Sequence, residues 1–287
     1  MRNKTFLFAT LICLLGWCCV SCVRTTTPKG FSVSANKQVV FSSGNMWYDI
    51  YEDITGSYLE DYGCISRGYE LDSNENLLRF DLFGWSGSTG DASFGFGFSF
   101  DDSDYAGDFV DWGHFFDDDD KDSEWRTLTK DEWIYLINGR SNASSLIGIA
   151  RIQLDSTGTS YVNGLILLPD SWNCPKGVSF KSGFAYFDDE EGSDKAYPKY
   201  QCFTLGQWYE LQRGGAVFLP ASGYLFNSGH HFDNSYDQRC GFYWSATSSP
   251  NPSILGEIYC LKFDPYKVEI DSVRRRDRLS VRLVRDL

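Results

Sequence analysis

Hydrophobic and polar positions alternate in short runs along most of this chain, with Gly, Pro and Asn at the breaks. KQVVFSS (37–43), NGLILLPD (163–170), GAVFLPA (215–221), GFYWSAT (241–247), EIYCLKFD (257–264) and LSVRLV (279–284) are rich in β-branched and aromatic residues, a pattern that predicts strands. The period of two places Tyr259, Leu261 and Phe263 on one face of EIYCLKFD, and Leu279, Val281 and Leu283 on one face of LSVRLV. Two stretches change period and predict helices of the same construction. LTKDEWIYLINGR (128–140) starts at Thr129 with Glu132 three residues on, and FTLGQWYELQRGG (203–215) starts at Thr204 with Gln207 three residues on. Each threonine is able to accept from the free amide at the third helical position, while the Glu or Gln side chain reaches back to the cap amide. Leu128 and Phe203 precede the caps, and Trp133 and Trp208 stand where a hydrophobic staple closes on them. Leu136 and Leu211 continue each apolar stripe, and Gly139 and Gly214 end the helices.

The first residues follow another pattern. Arg2 and Lys4 precede an apolar stretch from Phe6 to Trp17, and Val20-Ser21-Cys22 ends it. That is the layout of an export signal, too short for the roughly 20 residues of a bilayer span. Cys22 stands where a lipoprotein signal is cut and its cysteine acylated, although Cys19 occupies the usual leucine position. The expectation is a signal peptide over 1–21, a tether over 22–30 and one domain over 31–287. Its destination is the cell envelope, anchored by lipid to the outer membrane, with plain secretion as the alternative.

Composition narrows the partners. The chain carries a net charge of −13, and loss of two basic residues with the signal makes it more acidic still. Nucleic-acid binding needs basic surface to displace counterions, so a nucleic-acid partner is not expected. Charge is nonetheless uneven: 101–124 is an acidic stretch, while VRRRDRLSVRLVRDL at the end is rich in arginine. The acidic stretch and 187–199 read as surface loops. Among the cysteines beyond the signal, Cys64, Cys174, Cys202, Cys240 and Cys260, no C-x-x-C pair occurs, which argues against a zinc ribbon or a thioredoxin-type site. Cys240 and Cys260 flank two strands expected to be neighbours and are the candidates for a disulfide.

WRTLTKDEWIYL (125–136) resembles the helix-start motif of the formylglycine-generating-enzyme branch of the C-type-lectin-like fold. LILLPDSW (165–172), GAVFLPASG (215–223), GFYWSAT and SVRLVR (280–285) resemble more closely the Fibrobacter succinogenes major paralogous domain and its relatives among Bacteroidetes lipoproteins. FSVSANKQVVFSSGN (31–45) and DLFGW (81–85) look like the start of those proteins. The resemblance implies an α+β, C-type-lectin-like fold, in which two short helices pack on a small twisted antiparallel sheet with long irregular loops. GFYWSAT becomes a central strand, with Trp244 and Ala246 toward the core and Tyr243, Ser245 and Thr247 facing the other way.

The same resemblance implies that the solvent-facing side of the C-terminal sheet and the loop before it receive a ligand, glycan or protein. Carried onto this chain, that surface involves Asn227, His230, His231, Tyr236, Tyr243, Asn251, Tyr266 and Arg274. In some relatives, diversity-generating retroelements vary this surface. The enzymes of the branch hold copper with a close pair of C-terminal cysteines. Here Cys240 and Cys260 are twenty residues apart, so a non-catalytic binding or adhesion module is expected, with a redox or metal enzyme and a structural envelope component as alternatives.

Other chemistry is thinly marked. His230 and His231, with Asp233 and Asp237, have the residue types of a divalent-metal site but read more simply as a solvated loop. DSDYAG (102–107) opens like a calcium loop, yet Ala106 and Gly113 stand where ligands are required. No cofactor is expected, and calcium is the one ion the acidic loops would hold loosely. No nucleophile elbow, phosphate loop or H-E-x-x-H motif occurs.

Overall fold

The computed structural model describes residues 29–49, 54–57, 69–71, 77–86, 109–115, 124–184, 200–224, 240–249 and 257–287. The expected signal, Cys22, most of the tether and the acidic stretches at 101–108, 116–123 and 185–199 lie outside them. In chain order the strands begin with β1 (Phe31–Ser34), β2 (Lys37–Phe41), β3 (Met46–Asp49), β4 (Ile54–Ser57), β5 (Tyr69–Leu71), β6 (Leu77–Phe80) and β7 (Leu82–Phe83). They continue with β8 (Trp125–Thr127), β9 (Ile147–Gln153), β10 (Tyr161–Leu167), β11 (Gln201–Thr204) and β12 (Val217–Pro220). β13 (Gly241–Ser248), β14 (Glu257–Phe263), β15 (Val268–Arg274), β16 (Leu279–Ser280) and β17 (Leu283–Asp286) complete the series. Helix α1 (Lys130–Ile134) follows β8, and α2 (Leu205–Arg213) follows β11. The fold is α+β, mostly sheet with two short α-helices among the described residues.

Strand order corrects the expectation of one small antiparallel sheet. Four sheets form, ordered β1-β2-β17-β8, β11-β9-β10-β12, β15-β14-β13-β16-β7 and β4-β3-β6-β5. Two of them contain a parallel pair, β11 with β9 and β13 with β16. The run 279–284 is not one strand either. It leaves the sheet of β13 as β16, passes Val281 and Arg282, and joins β2 and β8 as β17. The crossing backbone is held from the side: the Met46 amide donates to the Val281 carbonyl and the Ser42 amide to the Leu283 carbonyl, each at 2.9 Å.

Both helices are built as their sequences predict. Thr129 Oγ1 accepts from the Glu132 amide at 3.3 Å while Glu132 Oε2 accepts from the Thr129 amide at 2.9 Å. Thr204 and Gln207 repeat the exchange at 3.3 and 3.0 Å. Each exchange satisfies two amides that a helix start otherwise leaves unpaired. Leu128 and Trp133 share one core cluster, Phe203 and Trp208 another, so both staples close. The ends differ from the simple reading. Beyond α1 the chain adds one wide turn, Tyr135–Gly139, whose closing bond runs from the Arg140 amide to the Tyr135 carbonyl. After α2, Gly214 keeps helical geometry and Gly215 takes the left-handed φ of 97°.

The helices lie on opposite faces of one sheet. Ile147, Ile149, Leu165 and Leu167 of β9 and β10 face α1, with Trp133 and Leu136. The intervening Ala150, Ile152 and Ile166 face α2, with Trp208 and Leu211. Period-two alternation therefore serves two cores at once, which is why β9 and β10 read as nearly continuous apolar runs. β13 is in the same position one sheet further on. Tyr243 belongs to the core under α1, whereas Phe242 and Trp244 belong to a third cluster with Met46, Phe83, Trp112 and Val281.

Candidate ligand-binding surface

The C-terminal hairpin is the part of the expected ligand surface that the described residues contain. β14 and β15 pair in unbroken register from Glu257↔Arg274 to Phe263↔Val268. Asp264 shapes the turn between them, its Oδ1 accepting from the amides of Tyr266 at 2.7 Å and Lys267 at 3.0 Å. That local loop, of the kind Asp favours, leaves Tyr266 at the tip with 45% of its surface exposed. Arg274 is exposed at the opposite end of β15, where its amide donates to Asp277 Oδ2 at 3.0 Å. Six strand steps separate the two ends, about 20 Å at the usual rise. One small molecule does not touch both.

The hairpin offers an edge rather than an open face. Leu261 and Phe263 point into the core under α1, with Val268 and Ile270 packed beside them, while Ile258 and Cys260 point into the third cluster with Val273. Tyr259 is covered by α1, with Lys130 Nζ 3.8 Å from its ring centroid. What remains outward is β15 itself, no residue of which is buried. Its charges pair along the strand: Lys262 Nζ lies 2.7 Å from Asp271 Oδ2, and Lys267 Nζ lies 2.6 Å from Glu269 Oε1. These partly exposed pairs contribute little to stability. They do hold charged side chains along a strand edge, which discourages unselective strand addition.

Tyr243 is a correction. It is fully buried, and Trp244 and Ser245 beside it are buried as well. Its hydroxyl donates to the Pro220 carbonyl at 2.9 Å and accepts from Asn45 Nδ2 at 3.2 Å. Arg282, 2% exposed, closes the node by donating to Asn45 Oδ1 at 3.2 Å and to the Phe218 carbonyl at 3.0 Å. Burial raises the Tyr243 phenol above its ordinary range, so it stays a neutral donor at any physiological pH. The expected one-sided orientation of GFYWSAT fails for a physical reason: the strand has a core on each side, and alternation in a sequence does not report a second one.

The disulfide expectation is also corrected. Cys240 and Cys260 are not joined in a disulfide. Cys260 sits opposite Trp244 in the β13–β14 register, four residues along the strand from Cys240. Burial, with Asp271 nearby, pushes the Cys260 thiol well up, so it is protonated at neutral pH and poorly suited to ligating a metal as thiolate. Asn227, His230, His231, Tyr236 and Asn251 lie outside the described residues, as do the calcium-like run 102–107 and Asp117–Asp120. Among the described residues no group of three or more His, Cys, Asp or Glu is placed to hold a metal ion. No helix among them is long and apolar enough to cross a membrane.

No protein-family model matches the chain, and no curated protein or solved structure matches it. The described residues form a concavity that no sequence signal marks. It is a cleft of about 210 Å³ between β1, β2, α2 and the start of β12, with Lys29 and Trp208 among its lining residues. Only the packing of elements remote in sequence brings these residues together.

Proposed function

We propose that this protein is an exported, lipid-anchored, non-catalytic binding or adhesion module of C-type-lectin-like fold, which engages a glycan or protein at the cell envelope. The observation that carries this reading is the separation of Tyr266 and Arg274 at the two ends of one edge strand, about 20 Å apart. An extended edge with an aromatic at one end and a cation at the other suits an oligosaccharide or a protein surface, not a small substrate. Aromatic and arginine side chains supply contact area and directional hydrogen bonds at such surfaces. Asn227, His230, His231, Tyr236 and Asn251 precede or follow β13 in sequence and are the further residues of the proposed surface.

The test is a glycan and envelope-protein array probed with the purified protein. Binding that falls at least about ten-fold in Tyr266→Ala and in Arg274→Ala, each the size of one good contact, supports the reading. Tyr236→Ala and His231→Ala are expected to abolish the same signal. Silence across the array favours a structural envelope component instead. Anchoring is separable: Cys22→Ser is expected to release the protein from the membrane fraction, and unchanged fractionation overturns lipidation.

A further inference from the structure

The two helices carry tryptophan at the same offset, yet their indoles end differently. Trp133 Nε1 donates to the Trp244 carbonyl at 3.2 Å. Trp85, Trp112 and Trp244 likewise donate to the carbonyls of Ser245, Gly84 and Phe83. Trp208 is 1% exposed, and its Nε1–H has no acceptor among the described residues. A buried donor left unpaired keeps its desolvation cost with no bond to offset it. Trp208 forms part of the cleft wall, beside Phe31, Phe41 and Phe218.

A lone cation stands at the same cleft. Lys29 lines it and makes no ion pair with any described residue, in a chain with 39 acidic residues against 26 basic ones. The lysine is held by packing. Its Cδ and Cβ lie 3.0 and 3.1 Å from where a side chain at Gly215 would begin, and the left-handed φ there favours glycine on its own account. Gly30, next in sequence, accepts from the Asp170 amide at 3.0 Å, and Asp170 Oδ2 accepts from the Ser32 amide at 2.8 Å. The backbone that carries Lys29 is thus fixed to the loop after β10. No carboxylate is among the described lining residues, and Gln212 adds an uncommitted amide at the rim.

We propose that this cleft is a binding site for a small carboxylate borne on a single flat ring, separate from the C-terminal edge. The Lys29 ammonium, with no ion pair among the described residues, selects an anionic oxygen group, and the unpaired Trp208 indole N–H belongs to the same wall. Three phenylalanine rings select a flat apolar body. The volume, about 210 Å³, lies below the roughly 300–1,000 Å³ of pockets for drug-sized ligands and limits the ligand to about one ring. The indole N–H has almost no accessible surface, so a ligand oxygen pairs with it only as the wall shifts, and that pairing recovers the cost of leaving it unpaired. The ammonium of Lys29, whose stem packs against Gly215, supplies the charge-assisted contact that discriminates a carboxylate from its amide.

The test is an NMR titration of the purified protein labelled with ¹⁵N at its indoles, using phenylacetate and its neutral isostere phenylacetamide. The Trp208 cross-peak is assigned as the one absent in Trp208→Phe. Phenylacetate is expected to shift that peak while the other indoles stay put. Phenylacetamide is expected to need about ten-fold more ligand, and Lys29→Met to weaken phenylacetate alone by about the same factor, the worth of one charge-assisted hydrogen bond. Should Trp208→Phe fail to fold, the Lys29→Met comparison of the two probes carries the test by itself. Equal affinity for acid and amide, or a peak that does not move by about 10 mM phenylacetate, overturns the proposal.

Discussion

Tyr243, Asn45 and Arg282 come from three distant parts of the chain and meet at one buried point. Their partners, the carbonyls of Pro220 and Phe218, sit on β12. The node therefore couples the crossing between β16 and β17 to the sheet that the helices enclose. Tyr243→Phe keeps the ring but leaves the Pro220 carbonyl and the Asn45 amide without the hydroxyl. The cost is that of buried groups unpaired, about 1–3 kcal/mol, to be read from the denaturant midpoint. A surface tyrosine in a ligand site would instead lose binding at unchanged stability. Nothing in the sequence distinguishes these two roles, because a tyrosine flanked by Phe and Trp fits either. A similar blindness hid Lys29, which looks like part of a tether until its stem is seen against Gly215.

At the scale of elements, the matched helices were legible because capping chemistry is local. Thr, two intervening residues and an acceptor suffice to specify a helix start, whatever surrounds it. What Trp133 and Trp208 do with their N–H groups was not legible, since the acceptor comes from another element or is missing. The difference is measurable. Trp133→Phe and Trp208→Phe remove similar volumes, but only the first breaks a hydrogen bond, the one to the Trp244 carbonyl. Trp133→Phe is expected to destabilise by about 1 kcal/mol more than Trp208→Phe in the absence of ligand, because removing an unpaired donor costs nothing. Equal losses would mean that both indoles are satisfied alike. LSVRLV teaches the complementary lesson. Its alternation was read correctly, and Leu279, Val281 and Leu283 do share one cluster, yet the segment serves two sheets.

At the scale of the molecule, the two ends of the domain are joined in one sheet, β1-β2-β17-β8, and an ion network ties that sheet to α1. Arg126 forks onto Glu132 at 2.7 and 2.8 Å and also reaches Asp286 at 2.7 Å, while Lys37 lies 3.2 Å from both carboxylates. Burial pushes the Glu132 carboxyl up, but hydrogen bonds from Arg126 and the Thr129 amide outweigh it and hold the group below its ordinary 4.5. Asp286 is held below its ordinary 3.8 in the same way, by Arg126 and Lys37 against its own burial. Both carboxyls bind protons more readily unfolded than folded. Their stabilising contribution is therefore complete above about pH 5 and is lost as pH falls below about 4 through the folded values. Thermal melts should show the midpoint dropping over that window, with a smaller drop in Glu132→Gln. A variant as acid-sensitive as the parent would remove Glu132 from the explanation.

The sequence alone determined the two capped helices, most of the long strands and the faces of β14 and 279–284. These follow from periodicity and from bonds between residues three or four apart, which every chain with that local pattern forms. Tertiary structure alone decided that β13 has a core on each side, that Cys240 and Cys260 stay apart, and that 279–284 crosses between sheets. It also decided that Lys29 and Trp208 share a cleft. Each of these depends on which distant surface covers a residue, and an alternating pattern states only that something does.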